Sequence, residues 1–283
     1  MSKRPEGVGA EQLTIVARRV LLDGLCALKT HLGAITVVGA QAVHLRTSHI
    51  RFTSGAYTSD GDLALDPDRL VDEPLLEEAL RLAGFELIVG NQPGLWSRPE
   101  IVDGIETRVE LDLLVGSTLA AGGRGARIRP HDKMSARKVP GLETAVVDRS
   151  PLMITALETG DSRAMIVHVA GPAALFVAKA HKLKDRFDAQ ETRPDRLSAK
   201  DAGDVYRLMA GTNPADVAAT FETLLADPRV ADVTATGLRY LRRQFGGADT
   251  PGVRLAVDAL AGTVPETRIR ALAPAYVGVL PKD

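Results

Sequence analysis

Between residues 12 and 32, Leu13, Val16, Val20, Leu21, Leu25 and Leu28 recur at steps of three and four, which predicts an amphipathic helix ended by Gly33. The period then changes. Residues 34–38 form an apolar, β-branched run between glycines, which predicts a buried strand, and residues 39–46 after the Gly39-Ala40 turn have helical character. Residues 58–66 alternate acidic and apolar positions from Asp60 and suit a half-buried strand. Asp72 as N-cap with Pro74 just inside predicts a helix reaching Leu82 and closed by Gly84. Residues 85–89, 94–101 and 108–115 follow as strands, with 145–147 as a further one. From Gly171 onward the pattern is helical, with segments at 173–187, 198–208, 214–225, 230–245 and 253–261. The expected fold class is α/β (α+β): a mixed sheet flanked by helices over residues 1–170, then a helical domain over 171–283.

Composition narrows the class without naming a chemistry. The 283 residues, 45% hydrophobic and 25% charged, describe a globular chain, and 35 basic against 36 acidic side chains leave no bulk attraction to nucleic acid. Local basic patches survive such a balance. One cysteine, Cys26, lies in the apolar stretch 21–28, which excludes an internal disulfide and a cysteine-rich metal site and predicts a core position in a reducing compartment. The polar N-terminus and the lack of a long apolar run lead to the expectation of a cytoplasmic protein without a membrane partner. Neither a P-loop nor a dinucleotide-binding glycine motif occurs.

The chemistry concentrates in Ser59-Asp60-Gly61-Asp62-Leu63. On a strand, residues i and i+2 share a face about 7 Å apart, so Asp60 and Asp62 converge on one site. Paired carboxylates of this kind suit a hard divalent cation such as Mg²⁺. Within 109–115, Val109, Leu111 and Leu113 take one face while Glu110 and Asp112 take the other, a costly acidic pair unless it is solvated, paired or cation-bound. The Gly39-Ala40 turn offers backbone N–H groups at a helix start, a ready place for phosphates. Lys179, Lys182 and Arg186 fall on one helical face, and Asp201 with Asp204 on the next, which reads either as an interhelical ion-pair network or as a phosphate-facing lysine held by an acid.

The order of strand, Gly39-Ala40, Asp60-x-Asp62 and a later strand carboxylate resembles the polymerase-β-like minimal nucleotidyltransferase superfamily. Lys179-Ala-His-Lys182-Leu-Lys-Asp-Arg186 with Lys200-Asp201-Ala-Gly-Asp204 resembles more narrowly the AbiEii-type toxin nucleotidyltransferases, which include the MenT toxins. The family has Gly-Gly or Gly-Ser where this chain has Gly39-Ala40. The resemblance implies Asp60, Asp62 and Asp112 as metal carboxylates, Lys182 as the essential lysine and Asp204 as the late aspartate, with Gly39, Ala40, Ser59 and Lys182 on the nucleotide. It also implies Mg²⁺, a nucleoside triphosphate, the 3′ end of tRNA and a cognate antitoxin protein as cofactor and partners. Thr58 and Ser59 become candidates for silencing by phosphorylation, since a phosphate brings about −1.5 to −2 charge to the carboxylates. The basic run Arg124, Arg127, Arg129, His131, Lys133, Arg137 and Lys138 is the candidate RNA contact. Two other readings stay open: the same chemistry on a small-molecule or protein hydroxyl, and a non-catalytic nucleotide-binding regulator.

Overall fold

The computed structural model describes residues 5–50, 58–88, 92–194 and 197–282. Helix α1 (Ala10–Ala27) buries Leu13, Val16, Val20, Leu21 and Leu25, the stripe its spacing requires. It stops short of residue 32 because the chain tightens into a 3₁₀ turn at Lys29–Ala34, where His31 is buried and its Nε2 donates to the Pro74 carbonyl at 2.9 Å. Strand β1 (Ile35–Val38) is fully buried and leads directly into α2 (Gly39–Arg46). Strand β2 (Asp60–Leu65) follows. Helix α3 (Leu76–Leu82) begins later than the Asp72 cap predicted, since Leu75 is still extended.

Strands β3 (Glu86–Leu87), β4 (Leu95–Val102), β5 (Ile105–Gly116) and β6 (Arg137–Val139) come next. The strand expected at 145–147 is instead a 3₁₀ turn, Glu143–Val146, folded back because the Glu143 carboxylate accepts from the Gly141 and Thr118 backbone N–H groups. Strands β7 (Arg149–Thr155) and β8 (Ala164–Ala170) form a hairpin that the sequence pattern did not predict. The result is an eight-stranded mixed sheet ordered β3-β4-β5-β2-β1-β8-β7, with β6 on β5. Strands β1 and β2 are antiparallel, while β2 with β5 and β1 with β8 are parallel.

The sheet's two faces differ in chemistry. Leu63, Leu111 and Leu113 are fully buried on the face beneath α1, where Gly61 is needed: a Cβ there would lie 2.9 Å from Leu111 Cδ1. The distal end of the β7–β8 hairpin reaches α1, where Arg19 pairs with Glu158 at 2.8 Å and Arg163 pairs with Asp23. Cys26 is exposed rather than core, because it faces away from the Leu21–Leu25–Leu28 stripe, and its Sγ lies 3.6 Å from Met165 Sδ.

The remaining elements are helices: α4 (Pro172–Asp188), α5 (Ala199–Gly211), α6 (Pro214–Ala226), α7 (Ala231–Phe245), α8 (Pro251–Ala259) and α9 (Glu266–Val279). Ser198 and Asn213 cap α5 and α6 through their side chains, as those residue types favour. Helices α4 and α5 pack against α2, and one hydrophobic cluster runs from the sheet into the helices. Among the described residues no helix is long and apolar enough to cross a membrane.

Candidate active site

The register of three strands gathers the acidic residues. Asp62 on β2 stands opposite Asp112 on β5, and Asp60 opposite Glu110. In a parallel pair facing residues lie about 4.8 Å apart and share a face, so all four carboxylates project on the side away from Gly61 and Leu111. On its other edge Asp62 stands opposite Val38, the residue before the Gly39 turn. Gly39 has φ +68°, and a Cβ on it would fall 1.9 Å from Asp62 Oδ2. The turn closes on the carboxylate because Gly39 has no side chain. Helix α2 starts there with no side-chain cap, so its first N–H groups rely on the turn's surroundings.

Asp112 is buried and its Oδ2 accepts from Arg137 Nη2 at 2.5 Å. Arg137, predicted as an RNA contact, is therefore turned inward, because β6 pairs with β5 at Leu114 and places it beside Asp112. Among the described residues no group of three or more His, Cys, Asp or Glu side chains is gathered at metal-binding geometry. The donor chemistry nevertheless fits a hard cation. Asp60, Asp62 and Asp112 present carboxylate oxygens from facing positions of adjacent strands, the donor type such a cation prefers, and the missing Gly39 Cβ leaves the Asp62 carboxylate its room.

The two hydroxyls before Asp60 are buried. Thr58 Oγ1 donates to the Asp60 carbonyl at 3.1 Å and lies 3.4 Å from Asp60 Oδ1. This arrangement presents neither Thr58 nor Ser59 to a modifying enzyme. Residues 51–57, just before this pair, lie outside the described residues.

The late motif forms a network centred on Lys179. Its buried Nζ donates to Asp201 Oδ1 at 2.7 Å and to Asp204 Oδ2 at 2.6 Å. Burial alone lowers the pKa of Lys179, but the two carboxylates outweigh burial and hold it above the usual lysine range. Burial likewise raises that of Asp201, yet Lys179, Lys182 and Arg186 around it hold its carboxyl well below the usual carboxylate range. Arg186 pairs with Asp201 as well. Asp204 therefore holds Lys179, whereas Lys182 reaches Asp201 at 3.2 Å with its side chain 49% exposed. Sequence spacing put all five residues together but could not rank the two lysines by depth. His44, on α2, lies among these charges. Its pKa is pushed down to about 4 chiefly by burial, with Asp204 opposing and Arg207, Lys200 and Lys179 adding to the fall.

The basic run folds into a loop closed by backbone hydrogen bonds. Ala126 N–H donates to the Ala136 carbonyl and Lys138 N–H to that of Arg124, each at 2.9 Å. Ala126 and Ile128 are buried, so Arg127 and Arg129 alternate outward between and after them, with Arg124 and Lys133 also exposed. Lys138 Nζ lies 3.4 Å from the Gly122 carbonyl. His131 is buried: its Nδ1 accepts from Leu76 N–H at 3.3 Å and its Nε2 donates to the Val71 carbonyl at 3.1 Å. It anchors the loop and is not part of a phosphate-binding surface.

No family model matches the chain, and searches of curated proteins and of solved structures found no match either.

Proposed function

We propose that this chain is a Mg²⁺-dependent nucleotidyltransferase that adds nucleotides from a nucleoside triphosphate to the 3′ end of tRNA. On the family it resembles, it is a growth-inhibiting toxin neutralised by an antitoxin protein. The observation that carries the reading is the position of Asp62, in register with Asp112 on one side and closed over by the Gly39 turn on the other. Asp60, Asp62 and Asp112 would hold the cation, which when bound neutralises the triphosphate and lowers the pKa of the attacking hydroxyl. The Gly39 and Ala40 N–H groups at the start of α2 bind phosphate oxygens. Half-exposed Lys182 swings from Asp201 onto the phosphates, while Lys179 and Asp204 position the helix that carries it. Arg137 compensates Asp112 until substrate is bound, and the outward arginines with Lys133 bind the tRNA backbone without sequence preference.

The Arg137–Asp112 pair also favours a second reading, a non-catalytic nucleotide-binding regulator whose carboxylates are already compensated. Label transfer separates the two. Purified protein, Mg²⁺, each α-labelled nucleoside triphosphate in turn and total tRNA are incubated beside Asp62→Asn. Label on tRNA that disappears in the variant and with chelator is the expected result. Label from none of the four nucleotides on RNA overturns the tRNA reading, and label on protein moves the acceptor to a protein hydroxyl.

A further inference from the structure

His31 and His131 are 1% and 6% exposed, and their rings meet edge to face with centroids 5.5 Å apart. They come from different parts of the chain, the 3₁₀ turn after α1 and the basic loop, yet both bind residues 71–76, the stretch that leads into α3. His31 Nε2 meets the Pro74 carbonyl, His131 Nε2 the Val71 carbonyl and His131 Nδ1 the Leu76 N–H. A carbonyl only accepts and a backbone N–H only donates, so His131 is fixed as the neutral tautomer with its proton on Nε2. His31 also donates through Nε2, and its buried Nδ1 has no hydrogen-bond partner among the described residues.

Neither ring has a place for a second proton. On His131 it would sit at Nδ1 and face the Leu76 N–H, donor against donor, and that bond would be lost. On His31 it would bury an unpaired N–H and a charge against the His131 ring. Burial above all lowers the pKa of His31, with the Pro74 carbonyl opposing and His131 adding to the fall. Among the described residues no carboxylate is hydrogen-bonded to either ring, and the charges nearby are committed elsewhere. Glu77 accepts from the Asp132 N–H at 3.2 Å and the Ser135 hydroxyl at 2.5 Å, and Asp132 accepts from the Met134 N–H. Behind the turn Asp66 pairs with Arg69, Arg149 donates to the Gly33 carbonyl and His168 bonds to the Leu32 backbone. Lys29, Asp68, Asp72, Glu73, Arg129 and Lys133 are exposed to water. The Glu77 contacts also show what the histidines restrain: the stretch they hold continues directly into the residue that ties down the basic loop.

We propose that His31 and His131 form an acid-sensitive latch, which holds residues 71–76 and the basic loop together while both rings are neutral and lets them part when the rings take up protons. The latch governs how Arg127, Arg129 and Lys133 are presented, and it does not depend on nucleotide transfer. The sign follows from linkage. The closed rings carry no second proton, whereas an opened histidine titrates near about pH 6.5, so the latch is at full strength above that value and weakens as pH falls below it. Between about pH 7.5 and 5.5 each ring that charges on opening raises the opening equilibrium about 10-fold, and two rings together about 100-fold.

The test is amide hydrogen exchange on the full chain at those two pH values, corrected for the intrinsic pH dependence of exchange and read in peptides covering 71–77 and 129–136. Wild type is compared with His31→Gln, His131→Asn and the double variant. Glutamine can still donate to the Pro74 carbonyl and asparagine can still accept from the Leu76 N–H, but neither titrates. Protection of both peptides in the wild type is expected to fall at least about 10-fold more on acidification than in the double variant, with each single variant between them. An equal fall in wild type and double variant overturns the proposal. So does protection that is lower in the variants at both pH values with an unchanged pH dependence, because that marks the histidines as structural pins only. A second measurement needs no variant: long-range proton–nitrogen NMR spectra of the wild type at pH 7.5 should show both rings neutral with the proton on Nε2. An imidazolium, or a proton on Nδ1 of His131, overturns the latch. Neither measurement uses nucleotide or tRNA, so failure of the transferase reading leaves the latch standing, and failure of the latch leaves that reading untouched.

Discussion

Replacing Gly39 by alanine adds one methyl group at the point where the turn closes on Asp62. Two costs arise. The first is local: φ is +68°, and an L side chain in that region costs about 1–2 kcal/mol. The second is a collision, since the new Cβ would stand 1.9 Å from Asp62 Oδ2, where ordinary contact begins near 3.4 Å. Asp62 or the turn must then move by about 1.5 Å, and a displacement of about 1 Å at a reacting centre costs on the order of 100-fold in rate. Gly104→Ala is the control, because Gly104 has φ +78° and open space around its Cβ. Both variants should lose about 1–2 kcal/mol in urea unfolding through the backbone alone. Transfer of label to tRNA should fall by roughly 100-fold or more in Gly39→Ala and stay within a few-fold of wild type in Gly104→Ala. Gly39→Ala with wild-type transfer would refute the placement of Asp62 in the reacting site. Equal loss in both variants would show that activity follows stability and not the collision.

Three further outcomes follow from the charges. Lys179→Met leaves Asp201 and Asp204 buried without their shared cation and should cost about 3–5 kcal/mol in urea unfolding at pH 7. The same melts in acid check the sign: the folded pKa of Asp201 is depressed, so its contribution is present above about pH 4, the unfolded carboxylate value, and fades as pH falls below it, a fade the variant should show less. His44, with a folded pKa of about 4 against an unfolded value near 6.5, stabilises the fold above pH 6.5 and loses that contribution as pH falls toward 4. Wild type should therefore lose about 2–3 kcal/mol more than His44→Gln between pH 7 and 4.5, and equal losses would refute the burial argument. Arg124→Ala, Arg127→Ala and Arg129→Ala combined should weaken tRNA binding evenly across sequences. The slope of log affinity against log salt, measured by filter binding between about 50 and 200 mM salt, should fall by about 2–3, since each phosphate that an arginine neutralises adds about 0.7–0.9 to it.

What could be read from the chain divides according to whether the information is local. The α1 stripe, the strand–glycine–helix unit at Gly39 and the acidic alternation at Asp60 and Glu110 are written in periods of 3.6 and 2, and each formed where the period placed it. The β7–β8 hairpin escaped because its pattern is diluted: Pro151 argues against a strand, and the position is tolerated because β7 is the sheet edge. Helix α9 escaped through Pro274, which lies inside it. The candidate site shows the same division. Spacing brought Asp60 and Asp62 together, but the partner that compensates Asp112 is 25 residues away, and only the parallel pairing of β6 on β5 turns Arg137 from the basic loop onto that carboxylate. Lys179 and Lys182 are three residues apart on one helical face with the same side-chain chemistry. Burial separates their roles, and burial is set by which helix packs on α4, a long-range fact that no local pattern contains. A deep lysine fixed by two acids can hold geometry, while a half-exposed lysine sharing one of those acids can leave it for a ligand. The difference between the two lysines is therefore a property of the α4–α5 packing.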